Sequence, residues 1–126
     1  MAAELVTDLL RSPTVLSAVN AAEVIDQLVR VYGRDPDEVH ADLAVLSHGG
    51  MHLLPVSADV GMLAGRLRAR HYHRERMAVS LADAVAAATA LTLSRPLATA
   101  DPALAAMIRA EGGSIHPLPD TAGRLP

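Results

Sequence analysis

Two hydrophobic periods alternate along this chain, and that alternation constrains its fold more than any other feature. Residues 14–18 form a short apolar run with β-branched members and strand character. In residues 20–32 the apolar positions Ala21, Val24, Ile25, Leu28 and Val31 recur at helical spacing, and Gly33 stops the helix. Asp35-Pro36 opens the next helix, with Asp as N-cap and Pro at the first helical position; it runs to residue 47 and ends before Gly49-Gly50. A strand over 51–56 and a helix over 58–71 follow. After an Arg/His-rich loop, residues 80–94 form a helix that is apolar nearly all round and should therefore be buried against a sheet. Residues 96–99 read as a short buried strand, 102–111 as a helix closed by Gly112-Gly113, and 114–118 as a last strand. Ahead of these, residues 4–11 read as a short amphipathic helix closed by Ser12-Pro13. Strands alternating with helices imply an α/β fold with a parallel sheet and helices on both faces. The four visible strands are few for a three-layer sandwich.

A chain of 126 residues fits one domain over 1–126 and can bury a real core; residues 1–3 and 119–126 are expected to fray. Although 51% of the residues are apolar, no apolar run reaches the ~18 residues that span a bilayer. No basic segment followed by an apolar core marks a secretory leader, and without Cys there is neither disulfide nor thiolate site. A cytoplasmic protein with no membrane partner is the expectation. The net charge of −3 does not announce a nucleic-acid binder, but the charge distribution is uneven. All eleven basic residues are Arg, and Arg66, Arg68, Arg70, Arg74 and Arg76 crowd into one segment with His71 and His73. Clustered guanidinium groups can grip phosphates in bidentate fashion even on an acidic protein; a solvated helix face and loop is the plainer reading. Tyr32 and Tyr72 are the only aromatic residues, so recognition by base stacking is not expected. His71 and His73 point apart if helical and have no clear third partner, which argues against zinc. Met51, Met62, Met77 and Met107 read as core filler.

Three acidic motifs stand at helix starts: Asn20-Ala21-Ala22-Glu23, Ser80-Leu81-Ala82-Asp83 and Thr99-Ala100-Asp101-Pro102. Each has a structural reading. Asn20 with Glu23, and Ser80 with Asp83, match a capping box, and Asp101 before Pro102 matches an N-cap. Taken jointly they carry a second reading. Glu23 and Asp101 each follow a strand, and in a parallel sheet such turns share the carboxyl edge, where ligands bind. Converging carboxylates repel one another, and a hard divalent cation compensates; Mg²⁺ typically takes one or two carboxylates plus waters and phosphate oxygens. Metal-assisted phosphodiester hydrolysis is the chemistry such a site supports. Helix caps and a metal cluster both remain open at this point.

The same residues resemble a known family. Residues 16–24 are similar to the strand and helix start that bear the second acid of PIN domains. Ser80-Leu81-Ala82-Asp83-Ala84 resembles the third-acid motif, and Leu97-Ala98-Thr99-Ala100-Asp101 resembles the strand that ends in a Thr-x-Asp acid. Order, spacing and intervening helices agree over residues 4–118, and the sequence looks most like VapC-type toxins of type II toxin–antitoxin systems. The resemblance implies a three-layer αβα sandwich and an Mg²⁺- or Mn²⁺-dependent endoribonuclease, a hydrolase of phosphodiester bonds. It further implies a homodimer and a cognate antitoxin whose tail occupies the acidic cleft. Glu23, Asp83 and Asp101 would be the catalytic, metal-site acids. Asn20 would brace the site, Thr99 would hydrogen-bond an acid or a metal-bound water, and Ser80 would support them. Assigning Arg66, Arg68, Arg70, Arg74 and Arg76 to the RNA backbone rests on charge, not on a family motif.

One part of the family pattern is missing. The family begins with an apolar strand ending in Asp, whereas 22 residues precede Glu23 here and Asp8 lies inside a helical pattern. The sequence therefore implies a fold without its usual first, central strand and without one acid. Either the start is placed too far downstream or the chain is a degraded relative. Backbone groups left unpaired in mid-sheet cost roughly 1–3 kcal/mol each, against a total stability of ~5–15 kcal/mol. A weakly stable chain that pairs in trans or aggregates is the expectation. Three functions follow: a ribonuclease toxin, a non-catalytic module that binds an antitoxin without cleaving RNA, and a plain α/β domain whose acids are only caps.

Overall fold

Ser12 and Pro13 end the first helix and turn the chain directly into a strand, and similar punctuation recurs along the chain. The computed structural model describes residues 2–126, with the backbone alone at positions 2, 3, 5 and 6; the expected fraying at residue 1 lies outside the described residues. The elements are α1 (Ala2–Leu10), β1 (Thr14–Ser17), α2 (Ala18–Asp26) running on into a π-helical stretch (Gln27–Val31), and α3 (Pro36–His48). They continue with β2 (Met51–Leu54), α4 (Ala58–His71), α5 (Leu81–Leu93), β3 (Leu97–Thr99), α6 (Pro102–Ala110) and β4 (Ile115–Pro117). Local chemistry sets most helix starts. The Asp35 carboxylate accepts the N–H groups of Asp37 and Glu38 at 2.9 and 3.2 Å, with Pro36 at the first helical position. The Ser57 hydroxyl accepts the Val60 N–H at 3.2 Å to open α4. At the far end of α5, Ser94 takes the left-handed conformation (φ 52°) and stops the helix.

The expected α/β class with parallel strands and intervening helices is what the chain adopts. The strands, however, form two separate parallel pairs. In one, Thr14 lies opposite Met51 and Ser17 opposite Leu54; in the other, Leu97 lies opposite Ile115 and Thr99 opposite Pro117. The break falls between β1 and β3. α5 reaches both pairs, touching β1 and β3, while α6 packs on β3 and β4 and α3 on β2.

The core sits where α4, α5 and α6 meet. Leu67, Val79, Met107 and Ile108 are fully buried there, around Ala84, Ala87 and Ala88 of α5. Alanines on α5 let its neighbours approach closely, and each large side chain buried against them contributes about 1.5–3 kcal/mol. Among the methionines, Met51 and Met107 are core residues, but Met62 is 60% exposed: it shares the outward face of α4 with Arg66, one turn on. At the C-terminal end the Asp120 carboxylate closes a turn, accepting the N–H groups of Ala122 and Arg124 at 2.8 and 2.9 Å. No helix among the described residues is long and apolar enough to cross a membrane.

Candidate functional site

The strand-to-helix turn after β1 differs from its expected form. α2 starts at the strand's end, with Ser17 as the cap; its hydroxyl accepts the Val19 N–H at 3.3 Å. Asn20 is thus inside the first turn and is not the N-cap that its motif suggested. Freed from capping, its side-chain amide donates to the carbonyl of Ala82, in the first turn of α5, at 3.3 Å. That bond sets the start of α2 beside the start of α5, which bears Asp83.

Around Asp83 the local reading of the sequence is the observed one. The Ser80 hydroxyl accepts the Asp83 N–H at 3.0 Å, and an Asp83 carboxylate oxygen accepts the Ser80 N–H at 2.9 Å. Asp83 and Asn20, both half-buried, line a cleft of about 530 Å³ that opens between β1 and β3. On the β3 side, the buried Thr99 hydroxyl accepts the Asp101 N–H at 3.0 Å, and Asp101 caps α6 by accepting the Ala103 N–H at 2.9 Å. Thr99 therefore positions the turn that carries Asp101. The Glu23 side chain is exposed and has no hydrogen bond or ion pair among the described residues.

The three acids do not converge as the sequence suggested. No three His, Cys, Asp or Glu side chains among the described residues come close enough to hold a metal ion. The reason lies in the fold. Asp83 and Asp101 each spend a carboxylate oxygen on their own helix start, and neither Glu23 nor Asp101 lines the cleft that Asp83 borders. The described residues thus offer no ready-made group of three acids, while Asp83 stands in the cleft wall with one carboxylate.

The arginine cluster divides by role. Arg68 donates from Nε to the Val79 carbonyl at 3.1 Å and lies over the Tyr72 ring at 4.4 Å. Arg70 donates to Glu111 at 2.7 Å, and the His71 ring meets the same carboxylate oxygen at 2.6 Å. The His71 ring first, then Arg70, hold the Glu111 carboxyl below the usual glutamate range. His73 accepts the N–H groups of Glu75 and Arg76 on Nδ1, both at 3.2 Å, and so closes the loop. Two of the five arginines thus hold the protein together. Arg66, Arg74 and Arg76 remain solvent-facing, Arg74 with a loose contact to Glu75 at 3.9 Å. Arg76 stands four residues before Ser80, the cap of the helix that bears Asp83. Sequence reasoning missed Glu111, whose partners lie 40 and 41 positions away, and Arg95, which donates to the Pro13 carbonyl at 2.8 Å from 82 positions away. No local pattern signals either pairing.

The family model of the PIN domain matches residues 2–109. No curated protein and no solved structure matches the chain.

Proposed function

The chain belongs to the PIN domain family, whose members are generally nucleases using divalent ions, and on that premise we propose that it is a ribonuclease-type domain acting on RNA, the toxin half of a toxin–antitoxin pair. The whole chain is one such domain, and its partners are RNA and an antitoxin protein. Homodimer formation, dependence on Mg²⁺ or Mn²⁺, and action in the cytoplasm belong to the same proposal. The observation that carries it is the Asn20–Ala82 bond, which sets the start of α2 beside the start of α5 with Asp83 in the wall of an open cleft. Asp83, Asp101 and Glu23 are the acids on which hydrolysis depends. Asn20 braces the two helix starts, Thr99 and Ser80 fix the turns that carry Asp101 and Asp83, and Arg66, Arg74 and Arg76 offer charge to the RNA backbone.

A second reading has its own observation. Because no three acids gather among the described residues, the chain as folded suits a module that holds an antitoxin without cutting RNA. Incubating labelled RNA with the purified chain and Mg²⁺ or Mn²⁺, beside Asp83→Asn, separates the two. The nuclease reading expects cleavage that falls about 100-fold or more in the variant. A folded chain that cuts under neither ion selects the binding module, and cleavage unchanged by Asp83→Asn removes Asp83 from the site.

A further inference from the structure

The segment between α4 and α5 is a turn with firm ends and a free tip. On its near side the His71 ring and Arg70 both hold the Glu111 carboxylate, so the end of α4 is pinned to the residue that closes α6. On its far side Met77 packs against the core, Val79 is fully buried, and Arg68 donates to the Val79 carbonyl. Between these anchors His73 and Met77 pair in both directions. The His73 N–H donates to the Met77 carbonyl at 2.9 Å, and the Met77 N–H to the His73 carbonyl at 2.8 Å. The residues they enclose, Arg74, Glu75 and Arg76, are exposed. One side-chain atom gathers this tip: Nδ1 of His73 accepts the N–H groups of both Glu75 and Arg76, each at 3.2 Å.

Its partners fix the chemistry of that atom. A backbone N–H can only donate, so Nδ1 must present its lone pair, and the neutral ring carries its proton on Nε2. A second proton therefore has one place to go, Nδ1, where it displaces both N–H groups. His71, two residues earlier, has the opposite role. Its Nε2 meets a carboxyl that the His71 ring and Arg70 hold below the usual glutamate range, so Nε2 donates, and a second proton on the far nitrogen leaves that bond in place. We propose that residues 73–77 form a proton-sensitive turn, which fixes Arg74 and Arg76 while the His73 ring is neutral and releases them when it is protonated, both ends staying anchored. The charged groups around the ring are Arg74, Glu75 and Arg76 of the tip, Arg68, Arg70 and His71 of α4, and Glu111 beyond α6; Asp83 of α5 is closed on Ser80. Glu75 makes a loose contact with Arg74 and Glu111 is spent on Arg70 and His71, so neither carboxylate is bonded to His73 to hold its protonated form in the closed turn. The proposal rests on the turn and not on the nuclease reading.

The test follows the full chain by NMR on both sides of the imidazole range, which centres at about pH 6.5. Above it, the ring nitrogen shifts of His73 should report the Nε2–H tautomer. Below it, protection of the Glu75 and Arg76 amides from solvent exchange, corrected for intrinsic rates, should fall about three- to tenfold, as loss of one hydrogen bond at each implies. The amides of Tyr72 and Ala84, bonded to Arg68 and Ser80 on either side of the turn, should keep theirs. His73→Asn supplies an oxygen that accepts N–H groups a few residues on but takes up no proton, so it should keep the tip closed at both pH values. His73→Ala should leave it open at both. An Nδ1–H tautomer in the neutral ring overturns the proposal, as does a pH-dependent loss that persists in His73→Asn. Equal losses at Tyr72 and Ala84 also overturn it, because the change is then general acid unfolding.

Discussion

The half of the molecule built on β3 and β4 and the half built on β1 and β2 bury their apolar side chains to different degrees. Around β3 and β4, helices α4, α5 and α6 close a continuous core that holds Leu67, Val79, Met107 and Ile108. Around β1 and β2, Ala21, Val39, Leu43 and Met51 are buried, but Val19, Val24, Val31, Val45 and Leu53 stay exposed. Helices with small facing residues can complete a core by packing on one another. A two-stranded pair shields little by itself and depends on a neighbour along its free edge. The large buried side chains, and with them the chain's stability, are concentrated in the C-terminal half, although Met62, Leu81 and Leu93 stay exposed there too.

Truncating each half at a buried position would test that contrast most severely. Met107→Ala should cost about 2–5 kcal/mol, the range for a fully buried side chain, whereas Leu43→Ala, at the edge of the thinner cluster, should fall at or below the low end. Urea denaturation of both variants checks this, and equal losses would break the comparison. A smaller effect is expected at the seam. Asn20→Ala removes the bond to Ala82 and should cost about 0.5–1.5 kcal/mol, with faster hydrogen exchange in α2 and no change in α6. Acceleration in both helices would show that the halves open as one unit.

The smallest effect sharpens the view of the C-terminal half. His71 and Arg70 lower the pKa of Glu111 in the folded chain. A carboxyl whose folded pKa is depressed contributes stability that is complete above its unfolded pKa, about 4.3, and is lost as pH falls through the folded value. Glu111→Gln should therefore cost no more than about 1 kcal/mol at neutral pH and flatten the decline of stability below about pH 4.3. Melting curves across acidic pH check both points, and a variant that kept the parental slope would assign the acid sensitivity to other carboxylates.

Much of the architecture was legible because its causes are local. Asp35-Pro36, the Ser80/Asp83 pair and Asp101-Pro102 act on backbone groups within three residues, and all three cap as their spacing indicates. The apolar α5 was recognisable as a buried helix from its composition. Asn20 looked like the same kind of cap, yet the helix began at Ser17 and sent its amide to Ala82, 62 positions away. Likewise, the five arginines looked equivalent in sequence, and only folding assigned Arg70 to Glu111 and Arg68 to Val79.

The sequence by itself determined the order of helices and strands, their caps and the parallel α/β class, because periodicity and capping act within a few residues of chain. Tertiary structure alone decided that the strands would stand as two pairs, that Glu23, Asp83 and Asp101 would not form a cluster, and that a cleft would open above α5. Those outcomes depend on which strand edges find partners, and pairing across long separations leaves no local mark in a sequence.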